Sequence, residues 1–422
     1  MKFDIFFSIC QTPVDGSVPN ERQMFQNFFD QAILADELGF GCAWVAETHL
    51  SCQVQKRNPG AVIPHFEGEI GLNTDILQIA HVLFSKTKRI HVGSAIRNIL
   101  CNGGPIAHAE AIKMYLSIRQ MMGDDPSRLL ELGFASGRFP FSNVPYGVRS
   151  RNKLEEAAWP ALRGLVFQEA TEIFLRLLKG EVIGSKDIRP KVLSRDLFRS
   201  DDDWDQAVVA WANLTAHEKE RDAIETGADL ATLGFQVAPF WKFDPVGVVP
   251  FEAPMQSLRL TIGAHDAASQ HLANEILPVG VFNLSITPSN QIEETHRRMT
   301  QHYCRKPWGA ADGVWRRELM PRTALVFIDS DSRKAKAQSE KAISNYWKAV
   351  EGTLDPMKVS QAVDNALVGS PEEIVEQMNR RFHPDDRLML WFDFNSHDSA
   401  AIKKSMQLFM EKVAPLVRGH AL

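Results

Sequence analysis

Eight short apolar runs recur along the 422 residues, and each is followed by a longer stretch with apolar residues at helical spacing. The runs are KFDIFFS (2–8), GCAWVAE (41–47), RIHVGSA (89–95), RLLELGFA (128–135), SLRLTIG (257–263), VGVFNLSI (279–286), RTALVFI (322–328) and RLMLWFDF (387–394). Most are apolar almost without interruption, as strands buried on both faces are; a strand open on one face would alternate. Between them, residues 20–38 set Phe25, Phe28, Phe29, Ala32, Ile33 and Leu38 on one stripe, and 75–85, 106–121 and 400–417 repeat the period. Strand and helix in alternation require a parallel sheet with crossover helices. The count of eight predicts an α/β fold of the (β/α)8 TIM-barrel class rather than an open doubly wound sheet.

Two segments interrupt the rhythm. Residues 53–72 hold three glycines and two prolines and are too long for a plain strand-to-helix loop, so they are expected to form a lid or wall after the second strand. Residues 180–254, between the helix after the fourth strand and the fifth strand, read as a long insertion over the barrel mouth. It carries the acidic cluster RSDDDWDQ, a helical piece at 216–231 and the tract APFWKFDPVGVVPFEAP, in which Trp241, Lys242 and Phe243 alternate like a short strand or hairpin edge. No repeat or flexible linker divides the chain, which predicts one domain over residues 1–422.

A formal net charge of −5 gives no basic excess for a nucleic-acid backbone or an anionic membrane. No stretch approaches the roughly 20 apolar residues of a membrane span. Five cysteines, odd in number and never spaced as CxxC, suggest neither a disulfide framework nor a zinc site, and fit a reducing cytoplasm. Asp4 breaks the apolar start MKFDIFFSIC, which reads as a first strand rather than a signal segment. No metal-binding set emerges, and no GxGxxG follows a strand.

In such a barrel the reactive residues stand where the strands end and the loops converge. That rule selects Glu47, Thr48 and His49 at the end of the second run, Ser94, Ala95 and Ile96 at the end of the third, and Ala135 and Ser136 at the end of the fourth. Gly263, Ala264 and His265 follow the fifth, and Asp393 and Asn395 the eighth, where aspartates also often cap the next helix. Phe7, Trp44, Arg97, Asn98, Trp241 and Phe394 are candidates for a substrate pocket, with core packing the ordinary alternative for the aromatic ones within strands. His108, two residues before Glu110, reads as a helix-surface or interface residue.

These residues also reach a family. AxELGFxxxWVAExH from Ala35, RIxVGSA from Arg89, AEA from Ala109, LGFASGRF from Leu132, VGSPEEIVEQM from Val368 and LFMEKVAPLVR from Leu408 together resemble the bacterial luciferase-like flavin monooxygenases. The likeness covers roughly residues 1–140 and 257–418. It implies a TIM barrel that takes reduced FMN from a separate flavin reductase and, through a C4a-peroxyflavin, uses O2 to oxygenate a small organic substrate. It also implies a homodimer formed through the helices at 75–85 and 106–121.

A flavin needs an apolar slot and a place for its phosphate. The resemblance puts a non-prolyl cis peptide at Ala95–Ile96 beneath the ring, and Ser136 against the phosphate with Arg138 close by. The amides after Gly263 could hold the phosphate too, or Asp266 could simply cap that helix. Where a luciferase reads Glu-His-His, this chain has Glu47, Thr48 and His49; the first imidazole is replaced by a hydroxyl that cannot take up a proton. Luciferase-type proton transfer and light emission are therefore not expected. Two alternatives stand: hydride transfer with the deazaflavin F420, as in related barrels, whose tail Arg97, Arg138, Arg149 and Arg151 would have to meet, and a flavin-binding subunit without chemistry, which the Thr48 departure permits.

Overall fold

A computed structural model describes residues 1–57, 67–137, 139–221, 225–226, 234–264, 266–350, 357, 360 and 363–418. Nine parallel strands form one curled sheet. They are β1 (Lys2–Phe7), β2 (Cys42–Val45), β3 (His91–Asn98), β4 (Leu130–Ala135), β8 (Leu258–Ile262), β9 (Val279–Val281), β10 (Arg322–Ile328), β11 (Leu367–Gly369) and β12 (Arg387–Trp391). Their spatial order is β11-β10-β12-β1-β2-β3-β4-β8-β9. A single parallel bridge links Asn283, two residues past β9, to Arg322 at the start of β10: Asn283 N–H donates to Pro321 O at 2.9 Å and Thr323 N–H to Asn283 O at 3.0 Å. All eight runs read from the sequence are strands of this sheet, in the order a (β/α)8 arrangement requires.

Helices connect them: α1 (Glu21–Leu38), α2 (Cys52–Gln55), α3 (Ile76–Lys86), α4 (Gly104–Met121), α5 (Lys153–Lys179), α8 (Ala267–Ile276), α9 (Ser289–His302), α10 (Ser332–Val350), α11 (Pro371–Arg381) and α12 (Ser399–Lys412). The entry to β2 shows how locally this is encoded. Asn20 caps α1 by accepting Gln23 N–H at 2.9 Å, and Gly39 ends it in the left-handed conformation at φ 88°. The chain then turns directly into Cys42.

Within residues 180–254 lie β5 (Lys191–Leu193), α6 (Asp201–Ala212), α7 (Ala216–Arg221), β6 (Glu225–Thr226) and β7 (Phe235–Val237). These three strands make a small antiparallel sheet in the order β5-β7-β6. Trp204 and Trp211 pack on Phe235, and α6 lies along α5. Trp241, Lys242 and Phe243 are not a strand. Side chains take up the backbone donors there: Phe240 and Trp241 N–H go to Glu169 Oε1 at 2.8 and 3.1 Å, and Phe243 N–H to Ser185 Oγ at 2.6 Å. Burial pushes the Glu169 carboxyl up to about 7 against those amides.

The inside of the curled sheet is layered. At its amino end lies a buried charge cluster: Arg387 donates to both oxygens of Glu131 at 2.7 and 2.8 Å and pairs with Asp4 at 2.6 Å. Arg259 and His91 both approach Glu131 at 3.3 Å. Burial opposes charge on Glu131, but Arg387 and Arg259 outweigh it and hold the carboxyl well below its usual range. Above the cluster, Phe6, Cys42, Trp44, Phe282 and Met389 fill the middle, and Ala46, Ala95, Ile96 and Trp391 rest on them as the floor of the mouth. Gly93 makes room for the Trp44 indole, since a Cβ there would fall 2.5 Å from Trp44 Cε3. Trp44 is therefore core, its Nε1 donating to Asp4 at 2.7 Å, and not a pocket wall. Phe7, packed edge-on against Phe28, is core as well.

Candidate active site

Glu47 leaves β2 with its side chain fully buried, and three groups meet it. Ile76 N–H, at the start of α3, donates to Oε2 at 3.2 Å. Arg97 Nη1 lies 3.5 Å from the same oxygen, and His49 Nε2 lies 3.1 Å from Oε1. Asn73 fixes the turn in between: its amide donates to Ala46 O at 3.0 Å, and its carbonyl accepts Thr48 N–H at 2.9 Å. Two loops are thereby fastened together around the buried carboxylate.

Arg97, a substrate-pocket candidate from the sequence, does not line the pocket but lies buried beneath it. Only 2% of it is exposed. Its Nη1 also pairs with Asp75 at 3.0 Å, and its Nε donates to His108 Nδ1 at 2.8 Å. A guanidinium can only donate, so His108 Nδ1 is bare and its proton sits on Nε2, which donates to Cys101 O at 3.0 Å. Burial, then the charge of Arg97, push His108 down to about 3. His108 is thus a buried neutral residue beneath the site, not a surface one; two lone polar letters in an amphipathic helix gave no sign of the partner eleven positions earlier. Asn98 is likewise structural, with its amide on Asn143 Oδ1 at 2.7 Å and its carbonyl accepting Leu100 N–H at 3.0 Å.

The same reasoning applies to His49. A carboxylate accepts, so Nε2 donates and Nδ1 is left without a hydrogen-bond partner among the described residues. Thr48 is buried beside it.

The peptide Ala95–Ile96 is cis, and both residues are partly open above the apolar layer. Ser94 is fully buried. Gly263 completes the slot on the far side: a Cβ there would stand 2.4 Å from Ile96 Cδ1 and 3.2 Å from Ala135 Cβ. Next to this floor opens a cavity of about 660 Å3, lined by Ser136, Gly263, Ala264, Asp266 and Ser269 on one side and Arg149, Trp159 and Arg163 on the other. Arg149 and Arg163 are exposed and form no ion pair among the described residues. Asp266 spends its carboxylate on Ser269 N–H at 2.7 Å, capping α8. The helix start at 264–267 is therefore closed by a negative charge, and the free cations sit across the cavity instead. Arg163, in the middle of α5, has no signature in the sequence, because a single arginine on an exposed helix face carries no signal. Arg151 is consumed by Glu155 and the carbonyls of Ala238 and Pro239. His265 and Arg138 lie outside the described residues.

Trp241 stands at the start of α4, where a Cβ on Gly104 would meet its Nε1 at 2.7 Å. Phe394 packs on Trp391 and Tyr346 and borders a different cavity. Asn395 Nδ2 donates to Ala342 O at 3.1 Å. Asp393 does not cap α12, because Asp398 does so by accepting Ala401 N–H at 3.0 Å. Burial pushes Asp393 up to about 7. An acid whose pKa rises on folding binds more protons folded than unfolded, so stability falls as pH rises from about 4 to about 7, by at most about 1.4 kcal/mol per unit. Asp393→Asn removes that share: urea unfolding is expected to show a larger stability gain at pH 7.5 than at pH 5, and equal gains would place the carboxyl in contact with water.

No protein-family model matches the sequence, and a search of curated proteins finds no match. Solved structures do match along the whole chain. The monooxygenase RslO1 from Streptomyces bottropensis superposes with a TM-score of 0.60 at 20% identity over 98% of this chain and 99% of that one. The oxygenating constituent of 3,6-diketocamphane monooxygenase from Pseudomonas putida, a type II Baeyer-Villiger enzyme in complex with FMN, gives 0.56 at 16% identity over 99% of both. The fold is that of the luciferase-like monooxygenases. An F420-dependent secondary alcohol dehydrogenase shares it, with a TM-score of 0.52 at 15% identity over 99% of both chains. In this luciferase-like fold, Glu47 to His49, Ala95–Ile96 and the cavity at Ser136 all lie at the carboxyl ends of adjacent strands β2, β3 and β4.

Proposed function

We propose that the chain is an FMNH2-dependent monooxygenase that oxygenates a small organic substrate with O2, the reduced flavin coming from a separate reductase. One juxtaposition carries this reading: a slot floored by Ala46, Ala95, Ile96, Ala135 and Gly263 runs between the cavity lined by Arg149 and Arg163 and the His49–Glu47–Arg97 network. The residues fit a flavin. Small side chains leave room for a flat ring, and Arg149, Arg163 and Ser136 offer charge and a hydrogen bond to its phosphate. Reduced FMN bound there would activate O2 for transfer of one oxygen atom.

The protein's own part is positional and protolytic. Glu47 holds the His49 tautomer, His49 Nδ1 holds or moves a proton, and Thr48 offers a hydroxyl beside it. Arg97 and the Ile76 amide hold the Glu47 carboxylate in place beneath His49. The apolar layer beneath the floor keeps water from the ring. In this reading the whole chain works as one domain, the segment 180–254 reaches the mouth through Leu197 and Trp241, and a cytoplasmic homodimer forms through α3 and α4, where Met114 and Met121 stand exposed. Among the described residues no helix is long and apolar enough to cross a membrane.

The test supplies FMNH2 and 18O2 with a panel of aldehydes, ketones, sulfides and amines. Incorporation of one labelled oxygen into a product is expected, and its absence across the panel would leave a flavin-binding protein without chemistry. One observation favours a second reading: Arg149 and Arg163 in a cavity of about 660 Å3 could also take the longer anionic tail of F420, with the same His49 serving hydride transfer.

A further inference from the structure

Glu169, on α5, is 3% exposed and takes no part in the chemistry proposed above. Among the described residues it forms no ion pair; its Oε1 accepts two backbone donors, Phe240 N–H at 2.8 Å and Trp241 N–H at 3.1 Å. The carbonyls just before these amides are held from the other side. Arg151 donates to Ala238 O and to Pro239 O, each at 2.8 Å, and its guanidinium lies 4.0 Å from the centre of the Phe240 ring. Ser185 secures the far end, accepting Phe243 N–H at 2.6 Å and donating to Trp241 O at 3.1 Å. Residues 238–241 are thus a strap, with a cation at its carbonyls and a carboxyl at its amides.

The strap touches both parts of the site. Phe240 packs at 6.1 Å on Trp159, which lines the cavity of about 660 Å3, and Trp241 covers the start of α4. Of the two clamps, only the carboxyl can change its charge near neutral pH. A guanidinium stays protonated, and Glu155 pairs with Arg151 besides. Burial pushes Glu169 up to about 7, against the Trp241 and Phe240 amides and the charges of Lys191 on β5 and of Arg151. A carboxylate gives those amides charge-assisted bonds, roughly twice as strong as the bonds to a neutral acid.

We propose that Glu169 is a positioning residue for the site: as a carboxylate it holds Phe240 and Trp241 against the cavity wall and the start of α4, and on taking up one proton it loosens them and speeds release of the molecule bound in the cavity. The inference rests on the flavin reading only in naming that molecule as FMN.

The clamp is read without flavin. In the full chain labelled with 15N-tryptophan, the Trp241 amide resonance, assigned through Trp241→Phe, is expected to titrate with a midpoint of about pH 7 in wild type. It should stay in place in Glu169→Gln, whose side-chain oxygen still accepts both N–H groups. Release of FMN, followed by stopped flow, is expected to be faster at pH 6 than at pH 8. The ratio of the two rates should be at least threefold larger in wild type than in Glu169→Gln, where the phosphate's own titration remains. Ser185→Ala loosens the strap but keeps the titrating group, so release should quicken at both pH values and the ratio persist. A Trp241 amide that does not titrate, or titrates alike in Glu169→Gln, would overturn the clamp; equal ratios, or a ratio lost in Ser185→Ala, would overturn its hold on the cavity. Absence of FMN binding would overturn the flavin reading alone and leave the amide titration to decide the clamp.

Discussion

Replacing Glu131 with glutamine is expected to lower the unfolding free energy by about 3–5 kcal/mol, the usual effect of stripping one partner from a buried ion pair. Glu131 is 1% exposed and is the acceptor shared by Arg387, Arg259 and His91, while Asp4 pairs with Arg387 alone. Glutamine keeps the volume, so no cavity contributes; the loss comes from leaving Arg387 with one carboxylate. The pH dependence follows with a definite sign. A carboxyl whose pKa falls on folding adds stability that is fully present above its unfolded value and is lost as pH drops through the folded one. Wild type should therefore lose stability below about pH 4.5 more steeply than Glu131→Gln. Urea unfolding at pH 7 and pH 4 checks both; a loss under about 1 kcal/mol at pH 7 would mean that water reaches the cluster.

His49→Gln is expected to lower kcat by about 10²–10⁴-fold, the range for a positioned acid or base, while flavin affinity changes only a few-fold. Glutamine can still hydrogen-bond Glu47 but has no titrating nitrogen. Glu47→Gln should act through His49, because an amide no longer demands a proton on Nε2, and the pH profile of kcat should shift as well as fall. Arg97→Met acts one step further back and should shift the profile less. If His49→Gln keeps kcat within threefold of wild type, His49 is a structural histidine, and proton transfer at this site belongs to another group.

The barrel was legible because both its signals are long: eight near-continuous apolar runs and helices of ten or more residues, closed by visible caps such as Asn20 and Gly39. β5, β7 and β11, three residues each, were not, since three letters cannot show a period, whereas the equally short β9 lies inside the longer apolar run 279–286. The position rule for strand ends selects Glu47 to His49 and Ala95–Ile96. It could not tell which strand-end side chains face the mouth. Arg97 and Asn98 turn into the protein after the cis peptide, where β3 slips its register against β4 between Ser94 and Arg97. Trp44 alternates inward, but below the floor. The capping role of Asp266 could be read from the sequence, whereas Arg149 and Arg163 come to line one cavity only because the loop after β4 folds back onto α5.

The most direct test of the flavin reading is an anaerobic titration of the protein with FMNH2, FMN and reduced F420. FMNH2 is expected to bind most tightly, and to lose at least tenfold in affinity when Arg149 and Arg163 are both changed to methionine. Tighter binding of reduced F420, or no binding of any of the three, would contradict it.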